Sequence, residues 1–115
     1  KITNDDCALD FDADADAVYD RIRALSPFPL AFCDHNGKML KLVGAKIGDT
    51  EKEHKNPGEV LRLDAKGNFI EVACRTGSVC LTRVLPEGKG RMNASDLING
   101  RKIAQGDRLK KYIID

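Results

Sequence analysis

Apolar residues recur with helical spacing in one long segment, from Asp10 to Ser26. Val18, Ile22 and Leu25 lie at i, i+4 and i+7, and Ala15 lies one turn earlier. This stripe predicts an amphipathic helix with one face packed against a core. Acidic residues at the start of the segment favour the positive end of the helix dipole. The Ser-Pro-Phe-Pro sequence that follows predicts the end of the helix, because a residue before proline is pushed out of the helical region.

Beyond this segment the pattern changes to short apolar runs separated by turn residues, which is typical of β-strands. Asn36-Gly37 is a strong hairpin signal between the first two runs. Polar segments rich in glycine separate the later runs and predict loops. The predicted strands are Leu30–Asp34, Met39–Ile47, Glu59–Leu63, Phe69–Cys74, Val79–Leu85 and Leu109–Ile114.

A second, shorter helix is predicted over Ala94–Asn99. Asn93 is a good N-cap, Asp96 completes a capping box, and Gly100 is a typical stop. One long helix, five or six short strands and this inserted helix predict a mainly β (α+β) fold, an OB-like Greek-key open barrel. An open α+β sheet is the alternative, since periodicity alone does not distinguish the two.

The composition is that of one globular domain. The chain has 115 residues, of which 42% are hydrophobic and 32% charged. No run approaches the roughly 18 apolar residues of a membrane span, and the sequence shows no export leader. Four cysteines without C-x-x-C or zinc spacing indicate reduced thiols. We therefore expect a cytoplasmic protein with no membrane partner and no metal site.

The net charge of +1 conceals an asymmetry along the chain. Residues 1–20 carry seven aspartates and one lysine, whereas residues 83–111 carry eight basic and three acidic residues. The basic C-terminal third has the charge of a surface that binds a polyanion such as a nucleic acid. A solvated face whose charges cluster only in sequence is the alternative interpretation.

The sequence contains no recognisable catalytic motif. It has no Ser-His-Asp set, no Walker loop and no G-x-G-x-x-G after a strand. His35 lies in a predicted hairpin turn and His54 in a charged loop, and neither has a catalytic partner that the sequence identifies. We therefore expect no catalytic residue in this chain, and binding is the favoured class of function.

Several segments form a recognisable series along the chain. They are 21–31 with its Pro-Phe-Pro step, Leu40–Ala45, Pro57–Leu61, Val72–Cys74 with Gly77, and Gly88–Met92 with Asp96–Gly100. Together they resemble the C-terminal domain of methionyl-tRNA formyltransferases, within the formyltransferase C-terminal domain superfamily. Two departures are Leu30, where a glycine is common, and Gly90, which replaces one lysine of a basic pair.

The resemblance implies a division of labour in a longer parent enzyme. An N-terminal domain binds the cofactor 10-formyltetrahydrofolate and carries the catalytic residues, and the C-terminal barrel helps to dock initiator methionyl-tRNA. Residues 1–9 would be the end of the interdomain linker and residues 10–115 the single non-catalytic domain, with no cofactor of its own. Sibling formyltransferases and 10-formyltetrahydrofolate dehydrogenases keep open an alternative, a domain-packing module without nucleic-acid binding.

Six basic residues are candidates for contact with tRNA phosphates. Two lie in the Gly-Lys-Gly-Arg loop and two follow the predicted short helix, where they could extend the same patch. Arg23 has a second interpretation, as the anchor of the helix exit. For each residue alone, an ordinary surface role is the alternative. Because the few aromatic residues mostly suit the core, we expect salt-sensitive phosphate contact with little base readout. The candidates are Lys89, Arg91, Arg101, Lys102, Arg23 and Lys41.

Overall fold

The structure is a computed structural model that describes residues 4–114. This range forms three helices and seven strands. The helices are α1 (Asn4–Cys7), α2 (Ala15–Leu25) and α3 (Ala94–Asn99). The strands are β1 (Ala31–His35), β2 (Lys38–Ile47), β3 (Val60–Asp64), β4 (Phe69–Ala73), β5 (Ser78–Pro86), β6 (Met92–Asn93) and β7 (Leu109–Lys110). Within this range no helix is long and apolar enough to cross a membrane.

The strands form one antiparallel sheet in the order β3-β4-β5-β2-β1-β7, with β6 paired to β5. Backbone hydrogen bonds then join the start of β3 to the segment that leads into β7. The Val60 amide donates to the Asp107 carbonyl at 2.7 Å, and the Leu109 amide donates to the Gly58 carbonyl at 2.7 Å. The sheet therefore curls into a mainly β, barrel-like fold, as predicted. It has seven strands because the two-residue strand β6 adds to the six predicted.

Helix α2 covers the sheet with the predicted apolar stripe. Ala15, Val18, Ile22 and Leu25 are all buried, and α2 packs mainly on β2. Burying a side chain of the size of valine or leucine contributes about 1.5–3 kcal/mol relative to exposure. The stripe thus fixes how the helix lies on the barrel.

The predicted start of the long helix was wrong. Helix α2 begins at Ala15, whereas the sequence pattern predicted a start at Asp10. The Asp12 amide donates to the Asp10 carboxylate at 2.9 Å, and the Ala15 amide donates to the Thr76 carbonyl at 2.9 Å. Aspartate side chains that bond nearby amides offer the backbone an alternative to the helix. The aspartate-rich segment therefore forms a turn, and it attaches to the sheet.

The last predicted strand was also too long, because β7 ends at Lys110. Strand β7 pairs with Asp34 and His35 on the free edge of β1. Further along that edge the Leu9 amide donates to the Phe32 carbonyl at 2.8 Å. The N-terminal segment therefore occupies the place into which β7 would extend.

Hydrogen bonds and a buried side chain hold the turn between α2 and β1, residues 26–30. Ser26 has an extended backbone, as predicted for a residue before proline, and its hydroxyl donates to the Val43 carbonyl at 2.8 Å. The Leu30 amide donates to the Leu25 carbonyl at 2.8 Å. Leu30 is buried and has a φ of +84°, in the left-handed region. We call residues 26–30 the proline turn.

A side-chain pair reinforces the closure of the barrel. His35 Nε2 lies 2.9 Å from a carboxylate oxygen of Asp107, and the same oxygen accepts the Ala104 amide at 3.0 Å. The two side chains are 12% and 23% exposed. The bond to His35 is the main reason that the pKa of Asp107 lies below its ordinary value of 3.8. The carboxylate thus stabilises the closing segment in its ionised form.

Replacing Asp107 by asparagine is expected to lower the free energy of unfolding by about 1 kcal/mol at neutral pH, because it weakens charge-assisted hydrogen bonds. The pKa of Asp107 is lower in the folded than in the unfolded chain, so its contribution is present above pH 3.8 and lost as the pH falls further. Urea unfolding of both proteins as a function of pH measures the difference. A difference that persists at pH values well below 3.8 would contradict this origin.

Candidate nucleic-acid interface

The structure places five of the six predicted phosphate-binding residues on two neighbouring parts of the surface. Lys89 and Lys102 line one groove beside α3. Arg91, Arg23 and Lys41 lie around the proline turn. The sixth, Arg101, is exposed next to Lys102 and is absent from the groove lining. The candidates therefore do not form one uniform patch.

The groove beside α3, here called the α3 groove, has a volume of about 620 Å³. Three exposed lysines stand around it: Lys38, Lys89 and Lys102. Its lining includes the core residues Leu40 and Leu97, which are almost completely buried. The groove thus combines an apolar floor with a positively charged rim.

Two carboxylates also line the α3 groove, but backbone amides engage both. Glu87 accepts the Met39 amide at 2.9 Å, and Asp96 accepts the Asn93 amide at 3.1 Å in the predicted capping box. None of the three groove lysines forms an ion pair with a described residue of the chain. Their ammonium groups are therefore available to an external anion.

Backbone hydrogen bonds hold the loops that carry these lysines. The Lys89 amide donates to the Pro86 carbonyl at 3.0 Å, which forms a turn after β5. The Lys102 amide donates to the Leu97 carbonyl at 3.0 Å, so the chain folds back over the end of α3. Both turns project a lysine towards the same groove. The short helix therefore positions charge as well as filling space.

Arg91 has a structural contact that the sequence did not predict. Its Nη2 donates to the Pro27 carbonyl at 2.9 Å, across the proline turn. The helix exit is thus held by Arg91 and Ser26, whereas the sequence had suggested Arg23 as its anchor. Because a guanidinium carries five N–H donors, an exposed arginine in this position can still meet a phosphate.

Arg23 instead pairs locally on α2. Its Nη2 lies 3.2 Å from an Asp20 carboxylate oxygen, and its guanidinium lies 5.4 Å from the centre of the Tyr19 ring. Both members of the observed ion pair are about two-thirds exposed, and such pairs contribute little to stability. Arg23 can therefore exchange Asp20 for a ligand at small cost.

Lys41 is half-buried on β2. It lines a shallow depression together with Pro29 and Leu30 of the proline turn, and a second one with Leu85 and Gly88. The stem of a half-buried lysine can cover apolar surface while its ammonium group stays in water. Lys41 therefore stands between the proline turn and the loop that carries Lys89.

A second basic groove was not predicted as a site. It has a volume of about 610 Å³ and is lined by Lys55, Arg108, Lys110 and Lys111 together with His54, Asp10 and Asp12. Arg75 pairs with Asp12 at 3.0 Å, which offsets one of the two carboxylates. The excess of bases in the C-terminal third was the one sequence signal for this groove. Its lining comes from separate segments, so their meeting could not be deduced without the fold.

Phe28 is the other feature that sequence reasoning missed. It is 86% exposed, whereas Phe11, Phe32 and Phe69 are buried. The expectation that aromatic residues mostly suit the core is right for these three. The Pro-Phe-Pro sequence was a signal for an exposed tip, since both neighbours restrict the backbone.

The described residues contain no group of three or more histidine, cysteine, aspartate or glutamate side chains that could hold a metal ion. The four cysteines are free and buried, and burial raises the pKa of the Cys33 and Cys74 thiols. Such thiols are poor nucleophiles because the thiolate is the reactive form. The arrangement favours binding of an anionic partner.

Comparisons with known proteins agree on one family for this chain. The family model described as "Formyl transferase, C-terminal domain" matches residues 1–102. A methionyl-tRNA formyltransferase of Methylobacterium nodulans is 41% identical over 113 residues, which cover 95% of this chain and 34% of that protein. One of Fusobacterium nucleatum is 33% identical over 105 residues, 91% of this chain and 34% of that protein. The chain thus spans about a third of the length of these relatives.

Solved structures support the same fold. The crystal structure of HypX from Aquifex aeolicus in complex with tetrahydrofolic acid superimposes with a TM-score of 0.70 at 21% identity, covering 98% of this chain and 22% of that one. A HypX variant gives a TM-score of 0.72 at 23% identity, with 100% and 20% covered. At this identity the likeness concerns the fold alone. The family model and the curated relatives together establish that this chain belongs to the formyl transferase C-terminal domain family.

Proposed function

We propose that this chain is the non-catalytic C-terminal domain of a methionyl-tRNA formyltransferase, and that it helps to dock initiator methionyl-tRNA. The observation that carries this proposal is the α3 groove, where three exposed lysines surround an apolar floor. Relatives that are named methionyl-tRNA formyltransferases cover nearly the whole chain. Phosphate contacts position a nucleic acid without reading its sequence, which suits a domain that holds a tRNA for chemistry elsewhere.

The chemistry itself belongs to the rest of the parent enzyme. We place the formyl donor, 10-formyltetrahydrofolate, in an N-terminal catalytic domain of the same chain, which lies outside these 115 residues. Residues 1–9 then serve as the end of the linker between the two domains. Such an enzyme acts in the cytoplasm, where its tRNA substrate is found.

Binding of this chain to initiator tRNA at several salt concentrations tests the proposal. We expect weak binding that falls steeply with salt, because each phosphate contact releases counterions. The double variant Lys89→Ala/Lys102→Ala is expected to lower the slope of log K against log salt by about two. Fluorescence anisotropy with labelled tRNA measures both quantities.

A matched control removes two lysines elsewhere. Lys52→Ala/Lys66→Ala has the same net charge as the groove variant, but both residues are exposed and neither lines the α3 groove. It should leave the slope nearly unchanged. Equal effects of the two double variants would refute a specific role for the α3 groove. Absence of tRNA binding at low salt would instead favour a domain-packing role.

A further inference from the structure

Phe28 is exposed on a turn that hydrogen bonds and a buried side chain hold in place. Its side chain is 86% exposed at the tip of the proline turn. On one side of the tip, Arg91 bonds the Pro27 carbonyl at 2.9 Å, and the Ser26 hydroxyl bonds the Val43 carbonyl at 2.8 Å. On the other side, the buried side chain of Leu30 anchors the turn to the core. Because these contacts hold the turn, the backbone that carries the ring loses little conformational freedom when the ring meets a ligand.

Basic residues lie around the proline turn that carries this ring. Arg91 reaches the turn through its bond to Pro27. Arg23 shares a depression with Ser26 at one end of the turn, and Lys41 shares one with Pro29 at the other. One carboxylate, Asp20, pairs with this set, through the exposed and weak ion pair with Arg23. Glu87 lines a depression with Lys41 but accepts the Met39 amide. The proline turn is therefore flanked by an excess of positive charge.

This composition fits an unpaired nucleotide better than a protein surface. Stacking on an aromatic ring combined with cations that follow the backbone is how proteins hold single-stranded nucleic acid. The centre of a protein interface is enriched in aromatic residues and arginine but depleted of lysine, so Lys41 is the member of this set that favours a nucleic acid. Any base can stack, because every base has a π-face, so such contact needs no sequence readout.

We propose that Phe28 stacks on an unpaired base of the bound tRNA, while Arg91, Arg23 and Lys41 contact the adjoining phosphates. This inference rests on the proposed function and assigns it a second contact beside the α3 groove. The site takes one exposed nucleotide, from a loop or from a single-stranded end of the RNA. A paired base within a stem does not expose its face to the ring.

The first test places a fluorescent reporter at the ring. The chain contains no tryptophan, so Phe28→Trp gives a single signal from an exposed position that keeps an aromatic face. Initiator tRNA and an unstructured polyadenosine oligonucleotide are expected to quench this fluorescence. Inorganic polyphosphate, which has the charges without bases, is expected to bind without comparable quenching. The variant Lys66→Trp, on the exposed turn between β3 and β4, controls for nonspecific quenching.

The second test separates stacking from charge. Phe28→Ala should weaken tRNA binding roughly 5- to 150-fold and leave the salt slope unchanged, because the ring carries no charge. Lys41→Ala should lower the salt slope by about one. Phe28→Trp should bind at least as tightly as the wild type.

The outcomes distinguish this inference from the proposed function. Salt-sensitive tRNA binding with neither quenching in Phe28→Trp nor weakening in Phe28→Ala would overturn the stacking site and leave the docking role intact. Phe28 would then be assigned to a protein contact, such as one with the catalytic domain. Absence of binding to both RNAs would overturn the docking role and the stacking site together.

Discussion

Replacing Gly58 by alanine is expected to lower the free energy of unfolding by about 2–5 kcal/mol. Gly58 has a φ of +95°, and an added Cβ would lie 2.3 Å from the Leu109 carbonyl oxygen. The left-handed conformation costs a non-glycine residue about 1–2 kcal/mol, and overpacking adds about 1–3 kcal/mol. The obstructing atom belongs to the backbone that closes the barrel, since the Leu109 amide donates to the Gly58 carbonyl. Relief of the clash therefore separates the two edges of the sheet.

Gly37→Ala is the matched control for this prediction. Gly37 has a similar φ of +86°, but no atom lies within 4 Å of the position of an added Cβ. Gly37→Ala should lower the free energy of unfolding only by the cost of the left-handed conformation, about 1–2 kcal/mol. Urea unfolding of the three proteins, followed by circular dichroism, measures both losses. Equal losses at the two glycines would show that the contact with Leu109 does not matter for stability.

These two glycines illustrate which parts of the fold the sequence could predict. Gly37 follows Asn36 in a hairpin, and local turn chemistry suffices to recognise it. Helix α3 was likewise predicted with its observed bounds, because Asn93, Asp96 and Gly100 lie within the segment itself. The closure at Gly58 depends on residues 106–109, which are remote in sequence. No local pattern records which carbonyl a glycine approaches.

The same distinction applies to the candidate interface. Lys89 and Lys102 were both recognised as basic residues near turns, and the fold brings them to one groove. Arg91 was recognised by its charge, but its bond to the Pro27 carbonyl depends on how β6 lies beside the proline turn. The exposure of Phe28 was missed because an aromatic residue is more often buried. Charge could thus be predicted from the sequence, and the partners of each charge could not.

The second large effect on stability is expected at Leu30. Here substitution by alanine should be more destabilising than substitution by glycine, which inverts the usual order. Leu30 is buried, so Leu30→Ala is expected to lose about 2–5 kcal/mol through the cavity left behind. Leu30→Gly removes more of the side chain, yet glycine adopts a φ of +84° without the strain that alanine retains. We expect the glycine variant to be more stable than the alanine variant by about 1 kcal/mol. This order is consistent with the glycine that is common at this position in the family that the chain resembles.

Leu42 provides the comparison, because it is completely buried in β2 and has no positive φ. There the usual order should hold, with Leu42→Ala more stable than Leu42→Gly by about 1 kcal/mol, since glycine weakens a strand interior. Urea unfolding of the four variants, analysed with a common m-value, gives both differences. If alanine proved more stable than glycine at both positions, Leu30 would not be held in a strained left-handed conformation. An inversion at Leu30 alone would mean that backbone strain at the proline turn offsets part of the stability that the buried leucine contributes.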